Sequence, residues 1–126
     1  MAQVSHLTCD EISGLDPARI VVLYAELGER GAERVISLAM EDLAETLVGI
    51  ETAAACGDRA QLTERLSHME DLADQVGLTS MVVVARDLLN CIASGDGTAQ
   101  AAVLARLMRV ADRSLTEVWD LGDLRL

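Results

Sequence analysis

The chemistry this chain could offer is concentrated in RLSHMEDLADQVG, Arg65 to Gly77. His68 is one of only two histidines. An imidazole on a helix surface can act as a nucleophile or move a proton near neutral pH. Arg65 stands three positions earlier, on the same face of a helix, where a guanidinium could meet an anion. Around them lie Glu64, Glu70, Asp71 and Asp74. A phosphoryl group, with about 1.5 to 2 negative charges near pH 7, wants donors and cations instead. Ser67 adjoins His68, but neighbours on a helix point apart. A serine hydroxyl without a base is a poor nucleophile, and no triad is evident. The plain alternative for His68 is a surface histidine with no chemistry.

Other reactive patterns are missing. His6 and His68 fall in different elements, and there is no HExxH or Cys/His cluster, so no metal site is expected. Glu41 and Asp42, like Glu70 and Asp71, are adjacent pairs that diverge on a helix and read as solvated surface rather than acid–base machinery. SGDG, Ser94 to Gly97, has two glycines but lacks the lysine and the preceding strand of a phosphate loop. No cofactor is implied. Cys9, Cys56 and Cys91 are odd in number and widely spaced, which excludes an all-disulfide framework and a metal-ligand pair. Cys56 and Cys91 read as small buried hydrophobes.

The chain has 126 residues, enough for one domain with a modest core. Its net charge is -11, from 21 acidic residues against 10 basic ones, and all 10 are arginine. Nucleic acid needs a basic footprint, and an anionic membrane surface is disfavoured for the same reason. The start, MAQVSHLTCDE, has neither a basic region nor a long apolar run, so a secretory signal is not expected. The longest apolar run, Ile20 to Ala25, is too short to span a bilayer. A cytoplasmic location follows as the expectation.

The elements that would position His68 are helices. Proline occurs once, as Pro17, and aromatic residues are 2% of the chain, leaving a sequence rich in Ala, Leu, Val, Glu and Arg. Residues 1–14 read as a flexible tail. Asp16 and Pro17 open a short helix with an apolar face of Ile20, Val21, Tyr24 and Leu27, and Gly28 and Gly31 bracket a turn. A long helix follows over about 32–55, with Ile36, Met40, Leu43, Leu47, Ile50 and Ala54 recurring at threes and fours. Gly57 closes it, and Asp58 caps the next helix, about 59–76, with Leu62, Leu66, Met69, Ala73 and Val76 inward. Gly77 ends that one. A helix over about 79–93 carries Met81, Val82, Ala85, Leu88, Leu89 and Ile92. The last, capped by Thr98, carries Val103, Leu104, Leu107, Ala111, Leu115 and Val118. Tyr24 and Trp119 are expected at the bundle ends. Short turns make successive helices antiparallel neighbours. The expected fold is an all-α, up-and-down antiparallel four-helix bundle with a short N-terminal capping helix. It spans 15–121, with residues 122–126 as a C-terminal tail.

This order of elements resembles the histidine-containing phosphotransfer (HPt) domain family over roughly 15–121. LDPARIVVLYAELGERG is similar to the family's opening helix and turn, and AAACGDRAQL to its second helix and Gly-Asp turn. LTSMVVVARDLLNCIASGD looks like the helix that packs behind the active one. The resemblance implies an exposed histidine that relays a phosphoryl group between receiver aspartates. In that family Leu, Lys and Gly typically follow the histidine at two, three and four positions, and a further Gly at ten. With Gly77 as that last glycine, Ser67 takes the histidine position, Met69 the leucine, Glu70 the lysine and Asp71 the near glycine. Shifting the frame by one puts His68 in place but spoils the rest.

The resemblance therefore implies a two-component signalling protein that has lost its phosphoacceptor. It would bind a response-regulator receiver domain or a histidine kinase through Arg65, Ser67, His68, Glu70, Asp71 and Asp74. The alternative is an active phosphotransfer protein using His68 as its catalytic residue. A third reading is a helical scaffold or homodimer, marked by a continuous apolar patch outside the bundle.

Overall fold

The computed structural model describes residues 15–125, with side chains described to residue 120. The expected 1–14 tail, with His6 and Cys9, lies outside the described residues, as does Leu126. Four helices follow one another: α1 (Pro17–Cys56), α2 (Arg59–Gln75), α3 (Thr79–Ser94) and α4 (Gly97–Arg125). They form an all-α, up-and-down four-helix bundle in which α2 packs between α1 and α3, and α3 between α2 and α4. α4 continues through Arg125, past Leu121, where the sequence reading places the end of the bundle.

The short N-terminal helix is the first part of α1, residues 17–27. Gly28 separates it from the long helix with φ 74° and ψ 174°, a conformation that a side chain would make costly. Asp16 caps it as expected, accepting from the Ala18 N–H at 3.0 Å, with Pro17 in the first turn. The expected inward face is corrected. Leu23 is the buried residue, Ile20 and Tyr24 are half-buried, and Val21 and Leu27 are exposed. Residues 20–25 are all apolar, so periodicity cannot choose which face turns in. Contacts with the turn after α2 accompany the observed phase. The Asp16 N–H donates to the Gly77 carbonyl at 2.8 Å, Arg19 Nε donates to the Gln75 carbonyl at 2.8 Å, and Leu15 bridges to Leu78. Gly77 is required there twice over. Its φ is 79°, and a Cβ would sit 2.8 Å from Arg19 Cβ and 3.1 Å from the Asp16 carbonyl oxygen.

The core is aliphatic. Leu43 and Ile50 of α1, Leu66 and Met69 of α2, Met81 and Leu88 of α3 and Leu107 of α4 are fully buried. Each such side chain contributes about 1.5–3 kcal/mol by leaving water. All five inward positions expected for the α2 segment are buried: Leu62, Leu66, Met69, Ala73 and Val76. Elsewhere the stripe is shifted slightly. Ile36, Ala54, Val82, Leu89, Val103, Leu104 and Leu115 are half-buried, while Ala39, Ala53 and Val84 lie deeper. Thr46 is buried as well, and its hydroxyl donates to the Asp42 carbonyl one turn earlier at 2.7 Å.

Three further expectations are corrected. Asp96, not Thr98, caps α4: its carboxylate accepts from the Ala99 N–H at 3.0 Å. An aspartate one residue before the helix outcompetes a threonine already inside it. Cys56 is exposed rather than buried, because it ends α1 one residue before the turn, beyond the last inward position at Ala53. Cys91 is half-buried. Trp119 is 67% exposed near the end of α4.

Candidate functional site

α2 presents the residues singled out from the sequence, and its buried stripe determines where each one points. Leu62, Leu66, Met69 and Ala73 face inward at helical spacing. The residues between them emerge on two opposite sides. Arg65 and His68 come out towards α1. Ser67, Glu70 and Asp74, at three- and four-residue spacings, come out towards α3. Asp71 stands on the crest between, three positions beyond His68 and four beyond Ser67. Ser67, Asp71 and Asp74 are exposed. The structure therefore divides five of the six expected binding residues between two surfaces and leaves Asp71 between them.

On the side facing α1, His68 Nε2 lies 3.1 Å from Asp42 Oδ2. A carboxylate oxygen only accepts, so Nε2 carries the proton, and the lone pair of a neutral ring is then on Nδ1. Both side chains are nearly half open, 47% for His68 and 43% for Asp42. One turn back, the Arg65 side chain lies across Gly49 of α1. A Cβ at Gly49 would stand 3.1 Å from Arg65 Nε and 3.3 Å from its Cζ. The glycine that interrupts the long helix thus makes room for a guanidinium. Arg65 has no ion-pair partner among the described residues.

On the side facing α3, Arg86 Nε donates to Glu70 Oε1 at 3.1 Å. This cation is therefore engaged with a carboxylate of α2. Asp71 and Asp74 make no ion pair among the described residues. A dianionic group on Ser67 would meet carboxylates on its own helix and an arginine already neutralised.

Asp42, Gly49 and Arg86 are residues that sequence reasoning did not connect with the site. Asp42 is 26 positions from His68 and Arg86 is 16 from Glu70. The only available signal was antiparallel register. Counting from Gly77 sets Arg86, nine residues on, near the level of Glu70, seven back, whereas counting from Gly57 sets Asp42, fifteen residues back, about one turn beyond the level of His68, eleven on. The side on which each emerges needed the packed helices.

Among the described residues, no group of three or more His, Cys, Asp and Glu side chains could hold a metal ion. No described helix is long and apolar enough to cross a membrane. The exposed large apolar residues stand on different helices: Val21, Val22, Leu27, Leu38 and Val48 on α1, Val83 on α3 and Trp119 on α4. No protein-family model matches the chain, and neither a curated protein nor a solved structure matches it significantly.

Proposed function

We propose that this bundle is a phosphotransfer-like signalling protein that works by binding a receiver or kinase domain and does not itself carry the phosphoryl group. The observation that carries this reading is the surroundings of Ser67. That residue takes the place of the family's histidine, exposed on α2, with Glu70 on the same side already paired to Arg86. A transferred phosphoryl group there would lack both a nucleophilic imidazole and a free cation. The exposed crest of α2 remains available for protein contact, and binding survives the loss of chemistry. The test is incubation with several receiver domains phosphorylated on aspartate. The expected result is saturable binding to one of them and no acid-labile phosphate on this chain. Labelling of the chain would reject the reading.

A second reading is favoured by one specific observation. The His68 ring is half open, its Nε2 is engaged by Asp42, and Arg65, with no ion-pair partner among the described residues, lies on the same side of α2. In this version Nδ1 attacks the phosphorus of a receiver's aspartyl phosphate, the P–O bond to the aspartate breaks as its carboxylate leaves, and Arg65 meets the charge of the transferred group. It predicts labelling that His68→Gln abolishes; labelling that persists in that variant would eliminate it.

A further inference from the structure

Away from α2, three guanidinium groups share one side of α4. Arg106, Arg109 and Arg113 follow one another at three and four positions, so they run along one face over about two turns, and all three are exposed. They are three of the ten cations in a chain of net charge -11. Arg106 is only loosely held, with Nη1 3.6 Å from Asp87 Oδ2 on α3. Arg109 and Arg113 make no ion pair among the described residues. Carboxylates are within reach along the same helix: Asp112 is three positions beyond Arg109, and Glu117 is four beyond Arg113, spacings at which helical ion pairs form. Glu117 instead buries its Oε2 with no hydrogen-bond partner among the described residues. The helix forgoes an internal pair at the very place where it leaves an arginine open.

We propose that this face of α4 docks an acidic surface of another protein, a helix or strand whose carboxylates are gripped by Arg109 and Arg113, with Arg106 exchanging Asp87 for the incoming partner. Guanidinium forks take carboxylates in two-point contacts, which gives register as well as attraction. Charge complementarity selects this occupant. An extended polyanion such as duplex nucleic acid, or an anionic membrane, would approach a strongly negative molecule with only three cations to hold it. A discrete acidic patch senses chiefly the charges within a Debye length, about 8 Å at physiological salt. A second copy could offer its own α2 crest, with Glu64, Asp71 and Asp74. That contact would join two different faces and grow open chains unless the rotation closed.

The test uses the full chain, isotopically labelled, titrated with a Glu-rich helical peptide and with the same peptide carrying Gln at each Glu. The expected result is movement of the α4 signals around 106–113 with the Glu peptide alone, weakening as salt rises. Arg109→Glu combined with Arg113→Glu should reduce the affinity roughly tenfold or more, as the loss of two charge-assisted contacts implies. Arg59→Glu, an exposed arginine at the start of α2, makes the same net-charge change as Arg109→Gln with Arg113→Gln, so it is the charge control for that pair and should change the affinity by about twofold at most. Arg109→Gln with Arg113→Gln gives the same reading should the charge reversals disturb folding. Equal binding of both peptides, equal loss in the Arg59→Glu control, or tighter binding of duplex DNA at the same residues would overturn the proposal. So would a mass that rises with concentration and reverts to the monomer in the double variant, because that would make the partner a second copy.

Discussion

The side of α2 that faces α1 and the side that faces α3 are built from interleaved residues of one segment, yet they keep different company. Towards α1, an imidazole is held by a carboxylate, and a guanidinium with no ion-pair partner among the described residues lies over a glycine. Towards α3, a serine shares its side with carboxylates, one of which holds Arg86. Ser67 and His68 are adjacent in the chain, but successive helical residues turn by about 100°, enough to send them to separate surfaces. Exchanging a functional group for its neighbour in sequence is therefore not a small change. It moves the chemistry from one groove of the bundle to another, with a different helix supplying the surroundings.

Both sides hang from the same buried stripe, and the largest expected effect comes from weakening it. Leu66 is fully buried, and Leu66→Ala should cost about 2–5 kcal/mol in urea unfolding, through lost burial and the cavity left behind. Hydrogen exchange around His68 and around Glu70 should rise together in this variant. Loosening on one side alone would show that the two sides are held independently. A loss below about 1 kcal/mol would mean that the stripe is not what holds α2 in place.

The architecture was legible in the sequence because its signals are local. Asp16, Pro17, Gly57, Asp58 and Gly77 mark helix ends, and the spacing from Leu62 to Val76 identifies every inward residue of α2. Where those signals weaken, the reading shifts. Residues 20–25 are apolar throughout, so the inward face of the leading helix is decided by its contacts with residues 75–78, far away in sequence. The candidate site was legible only in its α2 half. Arg65 and His68 share a side by spacing alone, but Asp42, Gly49 and Arg86 come from other helices. Their contribution depends on the rotation of each helix about its axis, which short turns leave open. Cys56 illustrates the same limit: an apolar stretch predicts burial, and its place at the last residue of α1 prevents it.

Gly49 sharpens the comparison with a smaller effect whose sign is informative. In the middle of a helix, alanine is favoured over glycine by about 1 kcal/mol. Against this, an added Cβ would stand 3.1 Å from Arg65 Nε and 3.2 Å from its Cδ. Those atoms belong to the far part of an exposed, flexible side chain, which can move by a few tenths of an ångström. Gly49→Ala is therefore expected to stabilise the protein, by up to about 1 kcal/mol, while shifting the Arg65 Nε–H resonance and leaving that of Arg86 unchanged. Thermal unfolding and an arginine side-chain spectrum together check this. A destabilised variant would mean that Arg65 is fixed in its seat and that the α1 side is more rigid than its exposure suggests.

The smallest effect compares the two cross-helix pairs directly. His68 with Asp42 and Arg86 with Glu70 both measure 3.1 Å, so distance does not separate them. Exposure separates only their carboxylates: the Glu70 side chain is 24% open against 43% for Asp42, while Arg86 is 63% open against 47% for His68. A less exposed carboxylate is less screened by water, and an arginine is charged throughout the working pH range whereas a histidine is not. Double-mutant cycles, Asp42→Asn with His68→Gln and Glu70→Gln with Arg86→Gln, should both yield coupling within the roughly 0.2–1 kcal/mol usual for surface pairs, with the α3 pair the larger. The reverse order would require a largely charged His68 ring held firmly by Asp42. A ring held that way has little neutral Nδ1 lone pair with which to attack phosphorus, so it would count against His68 as a phosphoacceptor and leave the α1 side a structural clasp.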